Sequence, residues 1–476
     1  MAGETALPLS TSDPVHLIGI GGAGMSALAK VLLARGYLIS GSDLKESRAT
    51  YALRALGARV DIGHRPENIA TAGVVVVSSA IPHRNPELNA ARERGLPVLQ
   101  RAQVLAMLMR ERRSIAVAGT HGKTTTTSMI ASVLQRAGVD PTFLIGGDLN
   151  ETGTNAHAGS GEWLVAEADE SDGSFLWLAP DVAVITNVEA DHLDYYAGET
   201  QVRDAFMSFL ENIRDDGLII ACADDPGAGY VLERAVRRVV TYGIDGGDVV
   251  AEVVERGPNG TVSVVRRAGE TLGSLRLDVP GSHNVRNALA AVCAAMEAGI
   301  EFEVAAEALS TFAGVARRFQ PRGSADGVTL IDDYAHHPTE IRATLASARE
   351  RGWERIIAVF QPHRYSRTKH LGASLGASLA DADLAVVTDV YGAGEDPEPG
   401  ITGKVVVDGL LSAAPRSRAI YIPKRGDVAD IVAERAEAGD LILTIGAGDV
   451  TMLADEILIV LASREAEARL DHRGRG

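Results

Sequence analysis

Cysteine is nearly absent, with Cys222 and Cys293 the only two in 476 residues. Two thiols build neither a disulfide framework nor a zinc-finger spacing, so a reducing compartment is expected. Both cysteines lie in apolar runs, one strand-like and one helix-like, and read as core residues. Long apolar stretches are missing too. No segment approaches the roughly eighteen consecutive apolar residues of a membrane helix. The opening MAGETALPLSTSDP lacks a basic region followed by an apolar one. Secretion and membrane spanning are therefore not expected, which leaves the cytoplasm. Positive charge is in deficit, with 46 basic against 63 acidic residues and a net charge of −17. A nucleic-acid or anionic-membrane partner would want a basic face, so neither is expected. An anionic substrate would need locally concentrated positive charge. Lysine is the scarcest cation: Lys30, Lys45, Lys123, Lys369, Lys404 and Lys424 are all there are. A lysine inside a glycine-rich turn is therefore informative.

What is present is ordinary globular composition, 46% hydrophobic and 23% charged. The chain is too long for one core, and at roughly 100–200 residues per domain it predicts three. From residue 14 to 112, strand-like VHLIGI, YLISGSD and VVVVSSAI alternate with helix-like AGMSALAKVLLARG and PELNAARERG. Such alternation implies βαβ units and a mostly parallel sheet. SIAVAGT opens a second unit reaching about residue 318. Its strands WLVAEAD, VAVITNV and GLIIACADD are near-continuous apolar runs, as when both sheet faces are covered. Between 248 and 279, VVAEVVER, Pro258-Asn259-Gly260, TVSVVRR and SLRLDV predict a small antiparallel subsheet with a hairpin at Asn-Gly. RRFQPRGSADG reads as a linker. GVTLIDDY, RIIAVFQPH, DLAVVTDVY, RAIYIP and LILTIGAGD then repeat the apolar-strand pattern, and the polar tail SREAEARLDHRGRG is expected to fray.

Gly119-Thr120-His121-Gly122-Lys123-Thr124-Thr125 follows the strand IAV and opens a helix. Glycines let backbone N–H groups turn to phosphates, Lys123 reaches the β/γ oxygens, and Thr124 offers its hydroxyl to Mg²⁺. The loop is shortened, because a strict G-x-x-x-x-G-K-T would need glycine where Val117 stands. Two further strands end in acids: Glu167-Ala168-Asp169-Glu170-Ser171-Asp172 and Asn187-Val188-Glu189-Ala190-Asp191-His192-Leu193-Asp194. Strand carboxyl ends converge on one edge of a parallel sheet. Mg²⁺ takes hard oxygen ligands and tolerates imidazole, so Glu167 and His192 join Thr124 as candidate ligands. The bland alternative, acids that merely cap helices, fits any one of them better than the set.

The amino-terminal Gly19-Ile20-Gly21-Gly22-Ala23-Gly24 matches G-x-G-x-x-G, with Asp43 ending the next strand and Ser78-Ser79-Ala80-Ile81 ending another. This pattern places a diphosphate on a helix N-terminus and Asp43 at a ribose, but a UDP-sugar fits as well as NAD. A nicotinamide-dependent dehydrogenase would leave GTHGKTTT without a role. Near the carboxy terminus, Asp332-Asp333-Tyr334-Ala335-His336-His337-Pro338 and Gln361-Pro362-His363-Arg364-Tyr365-Ser366-Arg367 each end a strand. Arg364 and Arg367 suit a carboxylate, which guanidinium grips bidentately. The His336-His337 pair is not read as a metal site, since adjacent side chains diverge and no third ligand is evident.

GIGGAGMS, SSAIPHRNPE, GTHGKTTT, EADESD, NVEADHLD, GSHNVRNALAA, ARRFQ, DDYAHHPTE and QPHRYSRT stand in the order found in Mur ligases. The chain resembles that family over nearly its whole length. The resemblance implies an α/β protein of three domains. A Rossmann-like amino-terminal domain (1–112) holds UDP-N-acetylmuramate. A central P-loop ATPase domain (113–318) carries a mostly parallel sheet plus a small antiparallel subsheet. A Rossmann-like carboxy-terminal domain (319–476) brings the amino acid. The cofactors implied are ATP and Mg²⁺. Lys123 would hold the γ-phosphoryl group, with Thr124, Glu167 and His192 around the metal. Asn187, His283, Asn284 and Asn287 would lie near the adenine, and Met25 and Ser26 belong to the UDP-sugar motif. Tyr334, His336, Arg364 and Arg367 would meet the incoming amino acid. The reaction implied activates a carboxylate as an acyl phosphate, which an amine attacks. Several members carry a carbamoylated lysine after the DHLD segment. No lysine lies between Lys123 and Lys369 here, which favours the branch that adds L-alanine. A peptide-recycling branch using the same UDP-sugar is separated poorly by sequence.

Overall fold

The apolar strand runs pair in parallel because each is buried on both faces, which only helices on either side can provide. In this computed structural model residues 9–193, 195–257 and 260–473 are described. They form three sheets. The first has five parallel strands in the order Arg59–Ile62, Ile39–Asp43, Val15–Ile18, Val74–Val77, Val98–Gln100. Val15 pairs with both Ile39 and Val74, so chain order reverses beside the central strand. A crevice forms at such a reversal, and the Gly19–Gly24 loop opens into it.

The second sheet has ten strands. Arg113–Ala118 lies between Val182–Ile185 and Trp163–Glu167, parallel to both. The three strand ends that carry candidate residues therefore sit side by side. The strands Val249–Gly257, Gly260–Arg267 and Glu270–Leu277 pair antiparallel, as the alternating pattern predicts. Pro258 and Asn259 of the expected turn lie outside the described residues. Trp163, Phe143 and Tyr242 are fully buried in this unit, each stabilising it by about 1.5–3 kcal/mol through removal from water. Cys222 and Cys293 are buried here as free thiols, as expected.

The third sheet runs Gln320–Ala325, Val328–Asp333, Leu441–Ile445, Ile356–Phe360, Leu384–Thr388, Ala419–Ile422. Here two expectations fail. RRFQPRGSADG is not a linker: Gln320–Ala325 is an edge strand, antiparallel to Val328–Asp333. It turns at Asp326-Gly327, where both residues have positive φ (52° and 73°), the geometry of a tight hairpin. Nor is the tail frayed up to Arg473, because the helix Thr451–Arg473 runs through it. Arg464 anchors that helix to Asp326 (2.5 Å) and to the carbonyl of Ala433 (2.6 Å). No helix among the described residues is long and apolar enough to cross a membrane.

Side chains join the units. Lys30 donates to Asn155 (2.7 Å), which in turn donates to the Ala23 carbonyl (2.9 Å). Thr339 donates to Glu189 (2.8 Å), and Arg256 pairs with Glu350 (3.1 Å), tying the second sheet's unit to the third's.

Candidate active site

Lys123 begins the helix Lys123–Arg136 directly after Gly122, whose φ of 81° turns the loop onto it. Gly119 is required for space as well as for its φ of 135°, since a Cβ there would lie 2.0 Å from Thr186 Oγ1. The ammonium of Lys123 folds back onto its own loop, donating to the carbonyls of Gly119 (2.6 Å) and Thr120 (3.2 Å) and to Glu170 (2.8 Å). Burial alone would lower its pKa, but Glu170 and Asp169 hold it above the usual value. Glu170 is fully buried, which pushes its own pKa up to about 7 against the pull of Lys123. Sequence reading did not single out Glu170, although it lies in EADESD. Its place one strand over from the loop was the missing information.

Glu167 ends the neighbouring strand and accepts from the Gly146 N–H (2.6 Å), with the Thr124 hydroxyl near enough to favour its ionised form. Thr124 and Glu167 are thus brought together as expected. His192 reaches Glu170 (3.6 Å) and Asp191 (3.6 Å) from a left-handed backbone, φ 54°, which a non-glycine residue adopts only when its surroundings impose it. Burial lowers its pKa and favours a neutral ring.

Around the loop, the His121 N–H donates to Asn187 Oδ1 (2.8 Å) and Thr120 N–H to the Asn187 carbonyl (3.1 Å). Asn187 therefore sets loop shape. Beside it opens a cleft of about 500 Å³ between the second and third units. Thr125, Asn187, His283, Asn284, Asn287 and Arg286 line it, as does Arg318, which pairs with Glu340 of the third unit (3.5 Å). Asn284 and Asn287 are held by the Pro280 carbonyl and by each other. Arg286 pairs with Asp224 (2.6 Å) at one wall. Arg286, Asp224 and Arg318 were missed by sequence reading, which had no signal for residues contributed singly.

The amino-terminal loop is built differently. Gly22 and Ala23 are exposed, and Asp43 accepts from the Gly21 N–H (2.9 Å). Ser79 and Ala80 are exposed at their strand end, and Gly19 lies beside Ile81. Met25 and Ser26, in contrast, are buried, so only their backbone can face the loop. Arg101 packs on Gly24 and pairs with Asp169 (3.7 Å), linking this loop to the second unit. It too was missed.

In the third unit, Tyr334, His336 and Arg367 lie together, and Arg364 stands at the start of the helix that carries Arg367. Tyr334 packs edge-on against His336, and Arg317 lies over the Tyr334 ring at 4.8 Å. Burial lowers the His336 pKa to about 4. Arg364 stands at φ 71° before the helix Tyr365–Ser378. Arg367 crosses to the second unit and meets Asp191 (3.4 Å), an acid the sequence reading had left without a role. Burial would raise Asp191, yet Arg367 and His192 hold it well below the usual carboxylate range.

Known proteins match this arrangement. Residues 14–113 match the model "Mur ligase family, catalytic domain", 117–295 "Mur ligase middle domain", and 317–448 "Mur ligase, glutamate ligase domain". The chain is 49% identical over 474 residues to a UDP-N-acetylmuramate–L-alanine ligase of Saccharopolyspora erythraea, covering 96% of each. It is 48% identical over 446 residues to one of Pelotomaculum thermopropionicum, covering 93% of this chain and 96% of the relative. A solved UDP-N-acetylmuramate–alanine ligase from Thermotoga maritima superposes with a TM-score of 0.81 at 32% identity, over 95% of this chain and 100% of that one. With three units matched in order and relatives covered almost end to end, the chain belongs to the Mur ligase family.

Proposed function

We propose that the protein joins L-alanine to the carboxylate of UDP-N-acetylmuramate at the expense of ATP, through an acyl phosphate. The observation that carries this reading is that Arg367, from the third unit, pairs with Asp191 of the second. Two half-sites on separate sheets thereby face one another. The relatives at 48–49% identity carry the name of that ligase. The division 1–112, 113–318 and 319–476 goes with it: first unit for the UDP-sugar, second for ATP, third for alanine. Two unpaired thiols suit a cytoplasmic setting.

Phosphoryl transfer between anions needs positioning and charge neutralisation rather than a protein nucleophile. Lys123 is held charged at the first position of its helix, and a helix N-terminus is where phosphates bind. In this reading the γ-phosphoryl oxygens replace Glu170 as its partner. Thr124 and Glu167 are hard donors near one another, and with His192 they would hold Mg²⁺, which would neutralise phosphate charge when bound. Gly19, Gly21, Gly22, Gly24, Asp43, Ser79 and Ala80 would receive the UDP-sugar. Tyr334, His336, Arg364 and Arg367 would orient alanine by its carboxylate, leaving the amine free. The deciding experiment measures ADP release with UDP-N-acetylmuramate and either L-alanine or a tripeptide. Release with L-alanine supports this reading. Release with the tripeptide alone would assign the chain to the peptide-recycling branch.

A further inference from the structure

His121, Glu189 and His337 come from three places far apart in sequence: the phosphate loop, the segment after Val182–Ile185, and the residue capping the helix Pro338–Glu350. Their ligand-capable atoms all lie within 4.8 Å of one another, and they form the only such His/Cys/Asp/Glu group among the described residues. His121 Nε2 stands 3.6 Å from Glu189 Oε2, and His337 Nδ1 stands 3.8 Å from the same oxygen while accepting from the Thr339 N–H at 3.4 Å, a long contact that an ion on Nδ1 would replace. Metal–ligand bonds of about 2.0–2.2 Å give tetrahedral edges of roughly 3.3–3.6 Å, so small adjustments close the set on one ion. His121 Nε2 is buried, and the Glu189 oxygen at 3.6 Å lies just beyond ordinary hydrogen-bond reach, leaving the nitrogen loosely held.

The surroundings are those of a metal-binding imidazole. The opposite nitrogen, His121 Nδ1, faces Glu340 Oε1 at 3.4 Å, so Nδ1–H can donate to that carboxylate and leave the Nε2 lone pair free. Glu189 is steadied by Thr339 (2.8 Å). The two rings lie 4.6 Å apart, tilted by 37°.

We propose that His121, Glu189 and His337 form a site for a borderline divalent cation of the Zn²⁺ class, which latches the phosphate loop to the third unit. Two imidazoles and a single carboxylate favour such an ion over Mg²⁺, which prefers oxygen donors. Burial keeps His337 neutral, its pKa lowered to about 4. Burial would lower His121 too, but Glu189 and Glu340 raise it to about 9, so the metal competes with a proton for the same negative field.

The test uses the full chain with saturating Mg²⁺, titrated with Co²⁺ as a spectroscopic probe and back-titrated with Zn²⁺. Wild type is expected to develop the visible bands of four-coordinate Co²⁺, which Zn²⁺ abolishes. His121→Asn and His337→Asn should each weaken the site at least about 100-fold, the Asn at 337 preserving a helix cap. Glu340→Gln should weaken it about 10–100-fold, the usual cost of losing a second-sphere carboxylate. His192→Asn should leave the bands within about twofold. If His337→Asn fails to fold, His121→Asn and Glu340→Gln decide alone. Absence of the bands in wild type overturns the site and leaves a proton-bridged ion cluster. Bands that survive His121→Asn, or that vanish only with His192→Asn, place the ion elsewhere and also overturn it.

Discussion

Two glycine-rich turns in this protein join a parallel strand to a helix, and they work by opposite means. The Gly19–Gly24 turn carries no cation of its own. Its helix starts at an exposed Gly22, Asp43 occupies one backbone N–H, and Arg101 is borrowed from a later helix. The Gly119–Thr125 turn has Lys123 at the first helical position, already surrounded by Glu170, Asp169 and Glu167. The first is a backbone cradle that recognises shape. The second is a charge balance awaiting a more negative partner. Similar punctuation in sequence therefore gives a binding loop in one unit and a reactive one in the other, and the neighbouring strands make the difference.

The sharpest way to break this contrast is Lys123→Ala. Losing one preorganised charge should lower turnover by about 10²–10³-fold, with UDP-sugar binding intact. Near-normal alanine-dependent ADP release would refute the phosphate-loop role. Next is Arg367→Ala, which leaves Asp191 buried without its guanidinium partner. The charge-assisted contact of Arg367 with the alanine carboxylate is worth about 1.5–3 kcal/mol, so the KM for alanine should rise roughly 10–150-fold while ATP binding holds. If UDP-sugar affinity falls instead, the third unit has been misassigned.

Gly21→Ala tests the cradle alone. Its Cβ would lie 2.8 Å from Asp43 Oδ2 and displace that carboxylate from the Gly21 N–H. One lost hydrogen bond, about 1 kcal/mol, should weaken UDP-N-acetylmuramate about fivefold in a thermal-shift titration and leave ATP unchanged. Wild type should be stabilised more by the UDP-sugar than by NAD, and the reverse would make the cradle a dinucleotide site.

The smallest effect is in pH, where the two turns should differ in sign. Glu87 is fully buried under the first turn, where it accepts from Ser42 (2.5 Å). Ser42's carbonyl receives the N–H groups of Gly19 (2.8 Å) and Ile20 (3.0 Å). Burial would raise Glu87, but His16, Ser42 and Asn68 lower it to about 2. A folded pKa below the unfolded one stabilises above about 4.5 and is lost as pH falls towards 2. Glu170, raised to about 7, does the opposite: the folded state holds its proton longer, so stability declines as pH rises from about 4.5 through 7. Melting temperatures of Glu87→Gln and Glu170→Gln should flatten the acid and neutral limbs respectively. An unchanged limb in either variant would remove that carboxylate from the account.

Much of this was legible in one dimension, because it depends on neighbours in the chain. Apolar runs of strand length bounded by glycine announced a covered parallel sheet, and Gly119–Thr125 announced a phosphate loop through its spacing and its rare lysine. Arg364 and Arg367 could be placed at a strand end by position alone. Two local cues were misread. Asp326-Gly327 was a hairpin turn inside an apparent linker, hidden because the edge strand Gln320–Ala325 is too polar to look like one. The polar tail was helix because Arg464 ties it to Asp326.

Tertiary structure alone decided which distant residues share a charge or an ion. Lys123 with Glu170, Arg367 with Asp191, and His121 with Glu189 and His337 are separated in sequence by tens to hundreds of residues. Sequence patterns record the period of a strand or a turn, whereas these contacts depend on strand order within a sheet and on how one sheet's edge meets another's. The His336-His337 pair shows the limit. Read alone it lacked a third ligand, because the two that His337 meets lie in the neighbouring unit, brought there only when the sheets pack.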